Sequence, residues 1–275
     1  MKKFATLLFS LLMISILVLT ACSQAAQTPA AGDSSSAAGG LGGKTLVIAH
    51  DVNFPPFEFL KDDKYTGFDL DLLDAIAKEA NFKIDSRAMD FNGIIPALQA
   101  NQVDMAIAAM TIRPDREEVI DFSVPYFRTG LVLAVKPDNS DIVNPEDLQG
   151  KTVAVKIGTS GESFIRDLPY ADQIDIKTFD SNNDTYLAVI NGNVDATIND
   201  DSTLRYYIAS EGPGTLKIVG DLLTGDDYGI AVPSGQAETL KAVNDALLKL
   251  AQDGTYDQIY EKWFGSKPTQ RPGGL

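Results

Sequence analysis

The sequence predicts an α/β protein of two lobes joined by a two-stranded hinge. Strand and helix patterns alternate from residue 45 onward, and a similar rhythm restarts near residue 151. The segments NQVDMAIAAMT (101–111) and NGNVDATINDD (191–201) also share one plan: a helix end, Val-Asp, an apolar strand and a polar loop. Ligands of open α/β sheets bind where strands end, so we expect these two loops to face each other across a cleft.

The first half begins with a short apolar strand at residues 45–50. The helix predicted over 69–80 has Leu72, Leu73 and Ile76 at helical spacing, with acids in its first turn. The further elements predicted in this half are a strand at 82–88, a helix at 92–101 and strands at 103–110 and 130–136.

The second half repeats the pattern and closes with two helices. Its predicted strands are 151–156, 175–179, 194–199 and 227–232, and its predicted helices are 160–168, 183–192, 201–209, 237–254 and 256–264. The glycines of the Asp-Gly and Phe-Gly pairs stop the last two helices. With chain crossings expected near 129–133 and 224–228, lobe 1 comprises residues 44–129 and 228–275, and lobe 2 comprises 130–227.

The N-terminus has the composition of an export signal. Lys2 and Lys3 precede an apolar run over residues 4–21, which predicts a cleaved signal peptide at residues 1–21. The string LTAC (19–22) resembles the lipobox of bacterial lipoproteins, which implies a lipid on Cys22 and anchoring to the outer face of the cell membrane. Residues 22–43 are rich in Ala, Gly and Ser and predict a flexible tether behind that lipidated cysteine.

Composition excludes several functions. A formal net charge of -15 over 275 residues argues against nucleic acid as a partner, because phosphate neutralisation needs clustered Lys and Arg. One histidine and one cysteine cannot supply a zinc site. No G-x-S-x-G string and no complete glycine-rich dinucleotide fingerprint is present. We therefore expect neither a metal nor a cofactor, and we expect a monomer.

Polar and aromatic residues at strand ends predict a ligand site. A buried arginine with N–H donors holds a carboxylate, a carboxylate holds an ammonium, and aromatic rings enclose an apolar stem. Together these groups fit a zwitterion, that is, a free amino acid. The candidate residues are Asp51, Phe54, Phe91, Arg116, Lys156 and Asp200. The same strand-end loops also contain Ala109, Thr111, Thr159, Ser160 and Asn199.

The residues alone leave other interpretations open. Arg116 falls in a first helical turn after Pro114 and could be solvated by neighbouring acids. Asp200 could serve only as a helix N-cap. The two phenylalanines could be core rings, and Lys156 could face solvent.

Several blocks in order resemble a known family. FPPFEF, YTGFDLDLLDAIAKE, MDFNGIIPALQ, DFSVPYF, KTVAVKIGT and GTYDQIYEKWFG are similar to blocks of the bacterial extracellular amino-acid-binding proteins of ABC importers, solute-binding family 3. The resemblance covers residues 44–268 and is greatest to the glutamine-binding members. It implies a type II periplasmic-binding-protein fold, in which two Rossmann-like lobes with central mixed sheets close over the ligand, and an ABC permease as partner.

The resemblance also implies a role for each candidate residue. Arg116 clamps the α-carboxylate with help from Thr111, Thr159 and the Ala109 backbone, and Asp200 takes the α-ammonium.

At the far end of the ligand, the resemblance implies that Asp51 and Lys156 read the side-chain terminus while Phe54 and Phe91 flank the stem. A donor and an acceptor together suit a carboxamide, so glutamine is favoured.

Four positions depart from the glutamine-binding pattern. Asn199 stands in place of a histidine, Ala109 and Ser160 each stand in place of a glycine, and Arg113, expected at the rim or in solvent, stands in place of Thr or Ser.

These departures leave alternatives for the ligand and the activity. A glutamate binder would exploit Lys156, and a binder of basic amino acids would need more acid in the distal pocket. The same scaffold also carries enzymes that resemble cyclohexadienyl dehydratase, for which Glu162 is the candidate acid. A sensor that presents its closed form to a receptor is a third class.

Overall fold

Two five-stranded sheets organise the protein in this computed structural model, which describes residues 40–274. The predictions for the signal peptide, for Cys22 and for most of the tether lie outside the described residues. No helix within the described part of the chain has the length and apolar character needed to cross a membrane.

The strands are short, and most of them precede a helix. In chain order they are β1 (Thr45–Asp51), β2 (Asn53–Phe54), β3 (Glu58–Lys61), β4 (Lys64–Thr66), β5 (Lys83–Met89), β6 (Met105–Ala106), β7 (Ile120–Phe122), β8 (Phe127–Thr129), β9 (Leu131–Val135), β10 (Thr152–Lys156), β11 (Asp175–Phe179), β12 (Ala196–Asp200), β13 (Lys217–Val219), β14 (Asp226–Tyr228) and β15 (Ala231–Pro233).

The helices pack on the faces of these sheets. They are α1 (Phe68–Glu79), α2 (Phe91–Gln99), α3 (Pro114–Glu117), α4 (Ser160–Arg166), α5 (Asn182–Ile190), α6 (Asp201–Tyr206), α7 (Ala237–Asp253) and α8 (Thr255–Phe264). Short 3-10 turns lie at Pro145–Leu148, Ala171–Gln173 and Pro272–Gly274, and a π-helical turn at Tyr207–Glu211 extends α6.

The first sheet has the strand order β5-β1-β6-β15-β7 and defines what we call the first lobe. Strand β1 runs parallel to β5 and β6, whereas β15 runs antiparallel to β6 and β7. Because β15 follows the whole second lobe in the chain, the first lobe is assembled from two separate stretches of sequence.

The second sheet has the strand order β11-β10-β12-β9-β13 and defines the second lobe. Strand β10 runs parallel to β11 and β12, and β9 runs antiparallel to β12 and β13. All five strands come from residues 131–219, so this lobe is continuous in sequence. The predicted α/β architecture with a mixed sheet in each lobe is confirmed.

A two-stranded antiparallel ribbon connects the lobes. Its strands β8 and β14 directly precede β9 and β15, at the points where the chain passes between the sheets. A separate three-stranded sheet, β2-β3-β4, extends the first lobe beside the carboxyl end of β1.

The first-lobe core is rich in aromatic rings. Phe57, Phe68 and Phe127 are buried and pack together, with ring centroids 4.9 to 5.9 Å apart. Phe264 from the last turn of α8 completes this group at 5.8 Å from Phe57 and 5.3 Å from Phe68. Such pairs add about 0.5–1.5 kcal/mol each beyond burial, so α8 is a structural part of the first lobe.

The last two helices end as their glycines predict. Gly254 between α7 and α8 has φ 84°, and Gly265 after α8 has φ 70°. A side chain is disfavoured in this left-handed region, which is why glycine allows the chain to turn between packed helices.

Several predicted elements differ from the structure. Of the predicted strand 103–110 only Met105–Ala106 pairs in the sheet, and the positive φ of 45° at Ala109 turns the backbone away from the ladder. The predicted strand 227–232 is divided between β14 and β15. Leu41, in the last part of the predicted tether, is 2% exposed and donates its N–H to Ala80 O at 2.7 Å, so this end is packed against α1.

Candidate functional site

A narrow cavity between the lobes brings most of the candidate residues together. The empty space between its walls is about 220 Å³ when the part open to solvent is included, so the two lobes are closely apposed here. Eight of the eleven strand-end residues named above line it: Phe54, Phe91, Ala109, Thr111, Arg116, Thr159, Ser160 and Asp200. The first five belong to the first lobe and the last three follow β10 and β12 of the second lobe, so both lobes contribute at the ends of their strands.

Arg116 is a buried cation without a carboxylate partner. Its side chain lies in the short helix α3 and the residue is 3% exposed. Its guanidinium donates to Thr111 O at 2.8 Å and, across the cleft, to Gly158 O at 3.0 Å. No ion pair within residues 40–274 includes Arg116. Burial, and secondarily the charge of Arg113, lowers the pKa of Arg116 to about 10, so the group stays cationic at neutral pH.

Asp200 is the complementary buried anion. It occupies the N-cap position of α6, but its side chain makes no capping hydrogen bond, so a purely structural cap is not its role. Its Oδ1 has no hydrogen-bond partner among the described residues. Burial raises the pKa of Asp200 to about 7, while the nearby Tyr228 hydroxyl and the Arg116 charge oppose this rise.

Lys156 and Asp51 form a buried ion pair at the ends of β10 and β1. Both side chains are almost fully excluded from solvent, and the Lys156 ammonium donates to Asp51 Oδ2 across the cleft. Its Nζ also lies 5.5 Å from the centroid of the Phe54 ring and 5.9 Å from that of Phe91. The sequence alternative of a solvent-facing Lys156 is therefore wrong, and the two rings border this charge.

The aromatic pair links the two ends of the site. The Cζ of Arg116 lies 5.5 Å from the centroid of the Phe91 ring, and Lys156 Nζ approaches the same ring from the other lobe. Phe54 and Phe91 belong to two different clusters of the first-lobe core, so each ring is both a core residue and part of the cavity wall.

The start of α4 supplies small polar groups. The hydroxyl of Thr159 donates to Lys156 O at 2.7 Å and accepts from Glu162 N at 3.4 Å, so it caps α4 rather than pointing a free donor into the cavity. The neighbouring Ser160 Oγ is buried and has no partner in the described chain. Ser160 therefore offers the available hydroxyl at this position.

Asn199 lies behind the cavity rather than in its wall. Its Nδ2 donates to the Tyr186 hydroxyl at 3.0 Å, and its Oδ1 accepts the N–H of Asp200 at 2.8 Å. Both ends of the amide are thus used within the second lobe. Asn199 orients the Asp200 backbone, and the expectation of direct ligand contact is not supported by its geometry.

Arg113 lies at the rim and also contacts the other lobe. It forms a bidentate pair with Asp115 at 2.6 and 2.9 Å, and its Nη1 donates to Thr159 O at 3.3 Å. The rim position agrees with the sequence prediction, but the contact across the cleft was not predicted.

Gly158 is a second cross-cleft residue that the sequence analysis missed. It has φ 76°, and a Cβ there would lie 3.2 Å from the Asn92 Cβ of the first lobe. Together with the Arg116 hydrogen bond to its carbonyl, this close approach makes Gly158 part of the lobe–lobe contact. The glycine in KIGTS was the available signal.

Glu162, the candidate acid of the enzyme alternative, is engaged in its own lobe. Its Oε2 accepts Gly158 N at 2.7 Å and its Oε1 accepts from Arg166 at 2.9 Å. His50 is likewise engaged, with Ser86 Oγ and Asp51 O each 2.9 Å from a ring nitrogen. Within residues 40–274, no three His, Cys, Asp or Glu side chains come together as a metal site requires.

Comparison with known proteins gives a family match over most of the chain. The model of the bacterial extracellular solute-binding proteins, family 3, matches residues 46–266. The L-cystine-binding protein TcyJ of Escherichia coli (strain K12) is 31% identical over 228 residues, which are 82% of this chain and 85% of that protein.

Solved structures agree in fold. An ancestral arginine-binding protein bound to arginine has a TM-score of 0.77 and 41% identity, over 80% of this chain and 98% of the other. The ancestral arginine-binding protein bound to glutamine has a TM-score of 0.76 and 42% identity, over 81% and 98%. The architecture is the type II periplasmic-binding-protein fold, and each of these similar proteins is named for binding rather than for catalysis.

Proposed function

Since the chain belongs to the bacterial extracellular solute-binding proteins, family 3, we propose that it captures a polar L-amino acid, with glutamine favoured, between its two lobes. It delivers this amino acid to the permease of an ABC importer. The observation that carries the proposal is the pair Arg116 and Asp200. They are opposite charges buried in one cavity, and neither has an oppositely charged partner in an ion pair among the described residues.

The zwitterionic end of an amino acid complements these two groups. The fork of Arg116 binds a carboxylate in bidentate fashion, and Ser160 Oγ adds a donor from the second lobe. Asp200 accepts the ammonium through its unpartnered oxygen. An isolated buried charge is unfavourable, so a ligand that brings both countercharges stabilises the site at both groups.

The ion pair of Lys156 and Asp51, which we call the distal pair, favours glutamine over amino acids with charged side chains. A carboxamide has a donor for Asp51 and an acceptor for Lys156, and it leaves their mutual attraction intact. The guanidinium of arginine would meet the Lys156 ammonium at close range, and the carboxylate of glutamate would meet Asp51. Because similar solved structures include an ancestral arginine-binding protein bound to arginine and one bound to glutamine, arginine is the second candidate.

Binding is coupled to lobe closure. Arg116 is in the first lobe and Asp200 in the second, so one ligand that contacts both groups favours the closed arrangement over the open one. The protein acts as a monomer, held at the outer face of the cell membrane through the lipid on Cys22, with the permease as its partner.

Titration calorimetry of the purified protein with the twenty standard amino acids and cystine tests the proposal. We expect glutamine to bind most tightly and basic amino acids to bind more weakly. The absence of binding by every amino acid at about millimolar concentration, equivalent to roughly 4 kcal/mol of affinity, would refute the function. Tighter binding of arginine than of glutamine would refute only the assignment of the ligand.

A further inference from the structure

A pair of buried carboxyl groups lies directly behind the amino-acid site in the first lobe. Glu58 opens β3, Asp69 lies in the first turn of α1, and both residues are fully buried. Neither residue lines the cavity, and the proposed binding reaction does not use either of them. Two acids at this depth require a compensating interaction, because an isolated buried carboxylate is strongly unfavourable.

The contacts of Asp69 lead to the cavity wall. Its Oδ2 accepts the N–H of Ala109 at 2.7 Å and the hydroxyl of Tyr126 at 2.8 Å. Ala109 lines the cavity, and it has a left-handed φ of 45°, which a residue with a side chain adopts only when its surroundings enforce it. The hydrogen bond to Asp69 is such a constraint, since it fixes the direction of the Ala109 amide.

The two carboxyl groups also contact each other. Glu58 directly follows Phe57, whose carbonyl oxygen accepts the Asp69 N–H at 2.9 Å, so the two fully buried acids are neighbours, and the charge of Asp69 adds to burial in raising the pKa of Glu58. Apart from this contact, the two Glu58 oxygens and Asp69 Oδ1 meet no N–H or O–H donor in the described chain. Ionised carboxylates only accept hydrogen bonds, so a proton must lie between them for this contact to be attractive. The hydrogen bonds from Ala109 N–H and the Tyr126 hydroxyl to Asp69 Oδ2 favour the ionised form of Asp69, and no such donor reaches Glu58, so Glu58 is the better holder of the proton.

We propose that Glu58 and Asp69 share one proton and act together as a positioning element, which holds the Ala109 peptide in the wall of the amino-acid site. Glu58 donates to Asp69 and Asp69 accepts the N–H of Ala109, so this chain of hydrogen bonds ends at a residue of the cavity wall. The inference rests on the proposed function for its effect on binding, but the shared proton itself can be observed without any ligand.

The surroundings of the pair set its response to pH. Burial raises the pKa of Glu58 well above its ordinary value, and burial raises the pKa of Asp69 to about 7. The other titratable groups that act on the pair are Asp51, Lys156, Tyr126, Tyr228 and Tyr256. Of these only Lys156 is cationic, and it is already paired with Asp51. Loss of the shared proton at alkaline pH therefore leaves two facing anions and loosens Ala109.

Glu58→Gln and Glu58→Leu separate this role from simple packing. The glutamine amide still donates to Asp69 but cannot ionise, whereas leucine removes the donor at similar volume. We expect Glu58→Gln to keep glutamine affinity within about threefold at neutral pH, and Glu58→Leu to lose about tenfold or more. Wild-type affinity should fall more steeply than that of Glu58→Gln as the pH rises above neutral. Equal pH profiles for wild type and Glu58→Gln would overturn the proposal.

Infrared spectroscopy of the ligand-free protein at about pH 8 provides the second measurement. Burial also raises the pKa of Asp200 to about 7, so Asp200→Asn is measured in parallel to identify any contribution of Asp200 to the band. We expect the carbonyl band of a protonated carboxylic acid in the wild type and its loss in Glu58→Gln. A wild type without that band contradicts the shared proton even if glutamine binds. If the wild type shows the carbonyl band but binds no amino acid, the proposed function is contradicted while the assignment of the shared proton stands.

Discussion

The two ends of the candidate site hold the same kinds of charge in opposite arrangements. At one end Arg116 and Asp200 line the cavity and have no ion-pair partner among residues 40–274, whereas at the other end Lys156 and Asp51 lie buried beside the cavity lining and neutralise each other across the cleft. A lone buried charge gains most from a ligand that supplies its countercharge, and a satisfied pair gains little. Under the proposed function, this difference predicts that the first end supplies affinity for any amino acid and that the second end selects among side chains.

The largest loss is expected for Arg116→Ala, which removes the unpaired cation. Glutamine affinity should decrease by roughly 2–5 kcal/mol, because the ligand carboxylate is then buried without its partner. Titration calorimetry measures this loss, and Arg113→Ala is the matched control from the same helix start. A greater loss for Arg113→Ala would mean that the carboxylate clamp has been assigned to the wrong arginine.

Asp200→Asn should produce the next largest loss, about 1.5–3 kcal/mol, because a charged hydrogen bond to the ammonium becomes neutral. Only ionised Asp200 binds the ammonium well. With a pKa of about 7 in the folded protein, wild-type affinity should decrease as the pH falls below neutral. Calorimetry across pH checks this, and the acid-side decrease should be absent in Asp200→Asn. A variant with the wild-type profile would exclude Asp200 as the titrating group.

The contribution of Asp200 to the free energy of unfolding should depend on pH in the direction opposite to its contribution to ligand affinity. The raised pKa makes the protonated form the favoured one in the folded protein, so this stabilisation is fully present below the ordinary value of 3.8 and is lost as the pH rises through about 7. The melting temperature of the ligand-free protein should decrease less between these two pH values in Asp200→Asn than in the wild type.

Substitution of either Lys156 or Asp51 should change the selectivity among amino acids. The expected effect is smaller than that of Asp200→Asn and larger than that of the Arg113 variant. Lys156→Met leaves Asp51 as the charge at this end, so the preference for glutamine over arginine should fall by roughly 10- to 100-fold. Asp51→Asn leaves Lys156 as the charge at this end, so this variant should shift the preference towards glutamate. Competition titrations with glutamine, arginine and glutamate measure both shifts. If both variants keep the wild-type order, the pair does not read the side-chain terminus.

The smallest effect is expected for Arg113→Ser, which removes the rim contact to Thr159 O. This single half-buried hydrogen bond should contribute about 0.5–1 kcal/mol, expressed as roughly two- to fivefold faster ligand release. Stopped-flow measurement of the dissociation rate checks it. Arg166→Ala, at an arginine paired within the second lobe, is the control. Equal release rates for the two variants would assign no closing role to Arg113.

Regular elements and strand-end residues were predictable because they depend on local pattern. The alternation of apolar strands and amphipathic helices predicted both lobes, and DIKTF was assigned with the bounds that β11 has in the structure. Arg116, Asp200 and the two phenylalanines were found because polar and aromatic residues after strands meet at one sheet edge. Their roles in ligand binding remain predictions.

The missed features depend on contacts that the local pattern does not contain. Met110 is as apolar as a strand residue, yet the left-handed turn at Ala109 ends pairing after Ala106. The hydroxyl of Thr159 is taken by its own helix cap, and the contact between Glu58 and Asp69 joins a strand to a helix. Each of these outcomes is decided by three-dimensional competition for hydrogen bonds.

The discontinuity of the first lobe sets an order for folding after export. The second lobe can complete its sheet from residues 131–219, whereas the first lobe requires β15 and the Phe264 ring of α8 from the end of the chain. We therefore expect the second lobe to fold first and the cleft to form only when the last helix docks. Pulse-labelling hydrogen exchange during refolding should protect β10 and β12 before β1, and simultaneous protection would contradict this order.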